Sequence, residues 1–146
     1  MQSTRQIPSP ATFSPSVVEF LQQPLPAHLA TINPSGSPQL TVMWFKYEDG
    51  DLLFTTLTNR VKFRNQQHDP RGAVSIVDRD DMWKWVIVNG TFSVDGRDPQ
   101  KFYRDLAAHY LQGEKLANWE KTAVFEGRTV LRLTPRRVRT LGFPQD

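Results

Sequence analysis

The sequence predicts a mainly β protein, a small and mostly antiparallel barrel of about six strands with peripheral helices. Three observations predict this fold class. Short apolar segments alternate with turn-forming residues along most of the 146 residues. Only two or three short segments have helical spacing instead. The strand–helix alternation of a parallel sheet does not occur, and neither a GxGxxG motif nor a Walker glycine loop is present.

The composition is that of one ordinary globular domain, with 38% hydrophobic and 23% charged residues. Cysteine is absent, which excludes disulfides, thiolate catalysis and Cys-ligated metal centres. No apolar run reaches the ~20 residues of a membrane helix. Residues 1–11 lack the apolar stretch of a signal peptide, so we expect a cytoplasmic protein with no membrane partner. Residues 1–13 are predicted to form a flexible N-terminal arm, and residues 14–146 a cofactor-binding domain.

The charge balance is mildly basic, with a formal net charge of +3 and a pI near 9.4. This excess suits an anionic ligand but is far below what nucleic-acid binding requires, so we expect no nucleic-acid partner. The basic residues fall into two groups along the chain. The first comprises Arg60, Lys62, Arg64 and Arg71, and the second Arg128, Arg132, Arg136, Arg137 and Arg139.

The first half of the chain predicts a short helix followed by three strands. Ser14 and Pro15 open the helix, and Ser16 with Glu19 has the spacing of a capping box. The predicted strands cover residues 28–32, 39–47 and 52–56, separated by segments rich in Gly, Pro, Ser, Asn and Asp. We expect these strands to form a meander in which the second runs antiparallel to the third.

The second half predicts three helical segments and three strands. A short helix over residues 60–67 precedes a strand over 73–77, which is nearly all apolar and is expected to be buried on both faces. A long strand follows over 85–94. Asp98 and Pro99 begin the clearest helix, which extends to about Leu111. Residues 116–119 are interpreted as a helical or irregular link, and residues 129–141 as the last strand.

A candidate anion site lies where the third strand meets the helix after it. Threonines end the strand, and Arg60 and Lys62 stand at the helix start. Hydroxyl groups, free N–H groups at a helix N-terminus and cationic side chains all favour a phosphate. A solvated turn with ordinary surface cations is the alternative interpretation.

The preceding strand offers an apolar wall. Alternation places Thr41, Met43 and Phe45 on one face of that strand, and Val42 and Trp44 on the other. An apolar wall beside a phosphate anchor suits a flat ring system. The alternative is that these side chains fill the barrel.

Three motifs carry a resemblance to a known family. They are Gly-x-Pro-Gln-Leu-Thr-Val-x-Trp-Phe at residues 36–45, the helix of residues 60–65 followed by Asp69-Pro70-Arg71, and Val-Asn-Gly-Thr-Phe at residues 88–92. Together they resemble the pyridoxamine-phosphate-oxidase-like proteins over residues 14–141. The resemblance implies a split β-barrel of the FMN-binding type.

Within that family the chain is most similar to the branch that depends on the deazaflavin coenzyme F420. The similarity lies in the compact length, the Arg-x-Lys-x-x-Asn helix and the Asp-Asp-x-Trp segment at residues 80–83. It implies a homodimer with cofactor sites at the subunit interface, and hydride transfer between reduced F420 and a small unsaturated organic substrate. The implied phosphate-binding residues are Arg60 and Lys62, with Thr55, Thr56 and Asn65 nearby. The implied ring-lining residues are Thr41, Val42, Met43 and Trp44, with Trp83 or Trp85 across the interface.

Two other functions stay open at this point: an FMN-binding relative of pyridoxamine-phosphate oxidase, and a non-enzymatic flavin or F420 carrier. The substrate-binding Arg and His of the true oxidases are not evident after Leu141, so oxidation of pyridoxamine phosphate is not expected. The polyanionic tail of F420, which FMN lacks, matches the basic balance at Arg64, Arg71, Arg136 and Arg137. No side chain is assigned a catalytic role, and the three histidines lack metal-ligand spacing.

Overall fold

The computed structural model describes residues 11–144, which form one curled sheet of seven strands with four helices around it. The predicted mainly β fold is confirmed, and the curled sheet is that of a split β-barrel. The elements in chain order are α1 Pro15–Leu21, β1 Ala27–Ile32, β2 Pro38–Met43, β3 Lys46–Glu48, β4 Asp51–Leu57, α2 Val61–His68, β5 Arg71–Val77, β6 Trp85–Asp95, α3 Pro99–Tyr110, α4 Gly113–Thr122 and β7 Arg128–Leu141.

The strand order is β2-β1-β5-β6-β7-β4-β3, and every paired neighbour is antiparallel. The long strand β7 joins the two parts of the barrel, because its residues 128–133 pair with β4 and its residues 130–141 pair with β6. A bulge at Asn89 and Gly90 lets β6 bend along β7. A Cβ at Gly90 would lie 2.4 Å from the carbonyl oxygen of Thr134, so only glycine fits there.

The core has two parts. The larger fills the inside of the curl, with Phe20, Phe54 and Ile76 among side chains that are almost completely buried. The smaller lies between the outer face of β4 and β7 and the helix α3, and consists of Leu53, Phe102, Leu106 and Val130. Strand β4 is therefore buried on both faces, which fixes the position of the residues that follow its end.

The predicted second strand over residues 39–47 is wrong as a single element. It is divided into β2, which pairs with β1, and β3, which pairs with β4, so residues 39–43 do not run beside β4. The break has a clear cause at Tyr110. The N–H of Phe45 donates to the Tyr110 hydroxyl at 3.0 Å, and that hydroxyl donates to the Leu25 carbonyl at 2.7 Å. A side chain from α3 thus satisfies the backbone where a continuous ladder was expected.

Residues 116–119 lie inside a regular helix, α4, which is the first of the two interpretations of this link. One expectation at α1 needs correction. Ser14, not Ser16, is the N-cap of α1, and its side chain makes no capping hydrogen bond, so the predicted capping box does not form. By contrast, the Asp98 cap is confirmed, since its carboxylate accepts from the backbone N–H groups of Gln100 and Lys101.

Strand β5 is also not buried on both faces, as its apolar sequence predicted. Val74 and Ile76 are buried, whereas Ala73, Ser75 and Val77 are only partly covered. The register places Ala73 and Ser75 on the outer face of the sheet. We call this the outer sheet face, and its members on neighbouring strands are His28 and Ala30 of β1, Leu40 and Val42 of β2, and Ile87 and Asn89 of β6.

Most of the predicted N-terminal arm, residues 1–10, lies outside the described residues. At its end, the N–H of Ala11 donates to the Pro135 carbonyl at 3.0 Å, and the ring of Phe13 packs edge-on against Tyr47 at 5.9 Å. Within residues 11–144 no helix has the length and apolar character needed to cross a membrane.

Candidate functional site

A cavity of about 260 Å³ opens at the end of β4, where the chain turns into α2. Its walls come from five parts of the chain: the β2–β3 junction, β4, the start of α2, α3 and the start of β7. The lining residues are Val42, Met43, Trp44, Thr55, Thr56, Leu57, Arg60, Lys62, Tyr103, Leu106 and Arg128. Seven of the eleven predicted site residues are therefore brought together: Val42, Met43, Trp44, Thr55, Thr56, Arg60 and Lys62.

Three cations meet in this cavity, and we call them the cationic cluster: Arg60, Lys62 and Arg128. Arg60 is the N-cap of α2, and Lys62 lies in its first turn. Arg128 arrives from β7, because it pairs with Leu57 at the end of β4. In residues 11–144 no carboxylate forms a salt bridge with any of the three.

The electrostatics of the cluster favour an anionic ligand. Burial lowers the pKa of Lys62, and the neighbouring charges of Arg60 and Arg128 lower it further. Burial also lowers the pKa of Arg128. A protein that holds like charges together in partly buried positions destabilises their charged forms. A bound phosphate would reverse this, because it supplies the missing negative charge.

Arg128 is held in place by its surroundings. Its guanidinium lies 3.6 Å from the ring centroid of Tyr103, a cation–π contact. Its Nε donates to the Val124 carbonyl at 2.7 Å. The Nε is thereby committed to the backbone and the guanidinium is held against the ring, so the side chain is already oriented beside the cavity.

The backbone adds further donors. The N–H groups in the first turn of α2 have no intrahelical partner, as in any helix. No side chain in the described part of the chain caps them. Thr55 and Thr56 are both buried beside this turn. The Thr55 hydroxyl donates to the Thr129 carbonyl at 2.9 Å, which leaves its oxygen able only to accept. The N–H groups and the cations are therefore the stronger candidates for anion contacts.

An aromatic wall closes one side of the cavity. The Trp44 ring stacks on Tyr110 at 5.1 Å with 15° between the planes, and Trp119 of α4 tilts against it at 6.4 Å. Tyr103 meets Trp119 edge-on at 4.8 Å. No residue of α4 is fully buried, so this helix is held mainly through Trp119. Trp44 and Tyr103 of this wall line the cavity directly, so they offer aromatic rings to one side of a planar ligand.

Four predicted site residues do not line the cavity. Asn65 is buried, and its amide donates to Thr31 Oγ1 at 3.1 Å and to Asn33 Oδ1 at 2.8 Å, so it ties α2 to the end of β1. Thr41 is not among the residues that line the cavity, and its buried Oγ1 has no hydrogen-bond partner among the described residues. Trp83 is exposed in the β5–β6 connection, and Trp85 begins β6. The expected contacts of these two tryptophans with a second subunit stay predictions.

Sequence reasoning missed Tyr103 and Arg128. The sequence pattern places Arg128 only in the second basic group, and it assigns no binding role to Tyr103. The decisive fact is the β4–β7 register, which a single sequence does not reveal. One cation of the predicted tail-binding set is engaged elsewhere, since Arg71 donates to Asp69 and thereby lowers the pKa of that carboxyl to about 2.

The chain is similar to known proteins in both sequence and structure. The family model for pyridoxamine 5'-phosphate oxidase matches residues 13–142. A solved structure named as an F420 reductase is 31% identical, with a TM-score of 0.71, and the match covers 83% of this chain and 94% of the other. None of the curated proteins matches the chain in sequence.

Two more distant structures share the fold. The conserved hypothetical protein Rv2991 from Mycobacterium tuberculosis is 22% identical with a TM-score of 0.68, and the match covers 98% of this chain and 96% of the other. The heme storage protein HutZ from Vibrio cholerae is 16% identical with a TM-score of 0.63, covering 91% and 97%. Names among these structures refer to two different cofactors, F420 and heme. The cofactor of this chain therefore has to be inferred from the residues of its own site.

Proposed function

The chain belongs to the pyridoxamine 5'-phosphate oxidase family, and from that premise we propose that it is an F420-dependent oxidoreductase that transfers a hydride between reduced F420 and a small unsaturated organic substrate. The observation that carries the proposal is the cationic cluster of Arg60, Lys62 and Arg128, unneutralised by carboxylates among the described residues and set beside an aromatic wall. The cytoplasmic location and the identity of the substrate remain predictions.

The residues of the cavity fit such a cofactor. Arg60, Lys62 and the first turn of α2 would hold its phosphate, and Arg128 would approach from the opposite strand. Val42, Met43 and Trp44 would flank its ring. When bound, F420 supplies the hydride chemistry, so the protein needs no nucleophile of its own. The chain's residues bind the cofactor, orient it and exclude water on the side of Trp44, Tyr103 and Trp119.

Two observations support F420 over FMN. The 31%-identical structure is named as an F420 reductase. The cluster also has a third cation, Arg128, and Arg64 of α2 is exposed nearby in sequence without a salt bridge to any described residue. An extra positive charge beyond a single phosphate site suits the polyanionic tail that F420 has and FMN lacks.

Haem is less well supported, although a structure of the same fold is named as a heme storage protein. Haem proteins hold the iron through an axial side chain, most often a histidine. Among the described residues no histidine lines the cavity of the cationic cluster. His28 instead lies within hydrogen-bond distance of the Ser75 carbonyl, at 3.2 Å.

The homodimer is part of the same proposal, and the outer sheet face supports it. Leu40 and Val42 on this face are 66% and 64% exposed, although they belong to a regular strand. The face also carries polar side chains, since His28 pairs with Val42 and Ser75, and Asn89 pairs with Ala73. An exposed apolar edge bordered by polar residues is typical of a subunit interface. Val42 lies at its border with the cavity, so a second copy would complete the site.

Titration of the purified protein with F420, FMN and haemin tests the cofactor assignment. We expect micromolar or tighter binding of F420, and weaker binding of FMN because it lacks the anionic tail. Oxidation of reduced F420 by a panel of small conjugated acceptors then tests the activity. Failure of both F420 and FMN to bind at micromolar concentrations would overturn the proposal.

Light scattering tests the homodimer. Leu40→Asp places a charge on the outer sheet face and is expected to give monomers, because a buried unpaired carboxylate opposes association. Val94→Asp is the matched control, since Val94 is a comparably exposed strand residue, at 54%, outside the outer sheet face. A wild-type protein that is monomeric at all concentrations would contradict the dimer.

A further inference from the structure

A second and larger cavity, of about 510 Å³, lies on another side of α3. It is bounded by the end of α1, strand β3 and the exposed face of α3, and Leu106 lines both this cavity and the one at the cationic cluster. We propose that this second cavity binds a small organic acid with a flat apolar body and one carboxylate. The inference does not rest on the proposed cofactor.

The floor of the cavity suits an apolar body. Leu21, Phe102 and Leu106 contribute side chains that are almost completely buried, and the Tyr47 ring stands beside them. The Tyr47 ring is held edge-on by Phe13, so this wall exists before any ligand arrives. A volume of this size lies within the range of about 300–1,000 Å³ that is typical of small-molecule pockets.

The rim is charged, with three cations and two carboxylates in the lining. Arg97 is fully engaged with Glu48 and Asp95 and is therefore a fixed part of the wall. The carboxylate of Asp98 is used to cap α3. The charges that can still meet a ligand are those of Lys46, Lys101 and Asp105, which lie in more exposed ion pairs.

Lys46 and Lys101 share the lining with two carboxylates, Asp105 and Asp98. The charge of Asp98 is partly balanced by the N-terminus of α3 that it caps. Lys46 lies 3.5 Å from Glu48, whose two oxygens already accept from Arg97, so its own charge is poorly matched. Lys101 and Asp105 form an i,i+4 pair in which both side chains are mostly exposed. Such a pair contributes little and is readily rearranged. A ligand carboxylate can therefore bind Lys46 from β3 and Lys101 from α3.

Calorimetric titration with 2-naphthoate tests the site, and the neutral 2-naphthamide is the matched probe. We expect binding of the acid with a dissociation constant below about 1 mM and clearly weaker binding of the amide. Lys46→Ala combined with Lys101→Ala should weaken binding of the acid by about tenfold, as expected for two exposed charge contacts. Lys115→Ala combined with Lys121→Ala on α4 is the control and should leave the affinity unchanged.

The cationic cluster is the competing location for an aromatic acid, and a further variant separates the two. Arg60→Ala combined with Lys62→Ala should retain full affinity for 2-naphthoate. Loss of binding in this variant, unchanged affinity in the Lys46 and Lys101 variant, or no binding of the acid at all would each overturn the proposal. None of these outcomes depends on whether F420 binds.

Discussion

Arg128 and Arg132 lie on the same strand, β7, and their surroundings are opposite. Arg132 contacts Asp95 at 2.7 Å and also Asp51, and it joins Arg97 and Glu48 in one network. We call this the neutralised network. Arg128 instead shares its end of the strand with Arg60 and Lys62, and its partners are an aromatic ring and a backbone carbonyl. Arg132 therefore has carboxylate partners within the chain, and Arg128 has none among the described residues.

The difference shows where the protein leaves positive charge without a carboxylate partner. In the neutralised network, hydrogen bonds from Arg97 hold the pKa values of Asp95 and Glu48 below their usual range, so the network stabilises the fold. In the cationic cluster the pKa of Lys62 is lowered instead, by burial and by like charges, so the cluster costs stability without a ligand. Unfavourable groups of this kind are expected at functional sites rather than in structural ones.

The largest expected effect comes from removing the two cations that are proposed to bind the phosphate. Arg60→Ala combined with Lys62→Ala should weaken F420 binding at least 100-fold, because each charge-assisted hydrogen bond contributes about 1.5–3 kcal/mol. The free energy of unfolding should stay the same or rise, since like-charge repulsion is relieved. Fluorescence titration and urea unfolding measure the two quantities.

Arg79→Ala combined with Lys115→Ala is the matched control for this double variant, because it also removes one arginine and one lysine, and both are exposed and lie outside the cavity. Its affinity for F420 should remain within about twofold of the wild type. If removing Arg60 and Lys62 left the affinity unchanged, the phosphate would have to bind elsewhere.

The next effect concerns the neutralised network and is on stability. Arg132→Met should lower the free energy of unfolding by about 1–3 kcal/mol, because Asp51 and Asp95 lose a partner in positions that are only partly hydrated. Affinity for F420 should not change. A stable variant with impaired binding would reverse the roles assigned to the two arginines.

Arg128→Met tests the other half of the comparison. We expect unchanged or slightly higher stability in urea and about tenfold weaker F420 binding, because one partly exposed cation is lost from the cluster. Arg128→Lys keeps the charge but not the stacked, planar guanidinium, and should restore only part of the affinity. A large loss of stability in the methionine variant would show that Arg128 is structural.

The smallest effect is a pH dependence. Asp95→Asn should lower the free energy of unfolding by about 1 kcal/mol at pH 7. Because the pKa of Asp95 is lowered in the folded state, its contribution is complete above the ordinary value of 3.8 and is lost as the pH falls toward the folded value. The difference in stability between the variant and the wild type should therefore begin to shrink below about pH 4, and continue to shrink as the pH falls further, in urea titrations at a series of pH values.

The sequence predicted most strands and the clearest helix because these depend on local patterns. The Asp98 cap of α3 and the strand over residues 85–94 are confirmed nearly to the residue. The prediction from sequence failed where a side chain distant along the chain determines the path of the backbone. The strand over residues 39–47 is broken by the Tyr110 hydroxyl, which lies 65 positions along the chain from Phe45. No local pattern signals such a contact.

The same distinction applies to the site. Arg60, Lys62, Thr55 and Thr56 follow one another along the chain, and a sequence pattern therefore found them together. Arg128 joins them only through the pairing of β7 with β4. Asn65 shares the motif but turns toward Thr31, because the end of β1 offers its amide a partner. Proximity in sequence therefore predicted Arg60 and Lys62 as phosphate-binding candidates, whereas Arg128 is brought to them only by the strand register.

A crystal structure of the protein with F420 tests the central claim most directly. We predict that the phosphorus atom lies within hydrogen-bonding reach of Arg60 and Lys62 at the start of α2, with the ring beside Val42, Met43 and Trp44. The account is contradicted if the phosphate occupies another surface, such as the cavity of Lys46 and Lys101, while the cationic cluster holds only water.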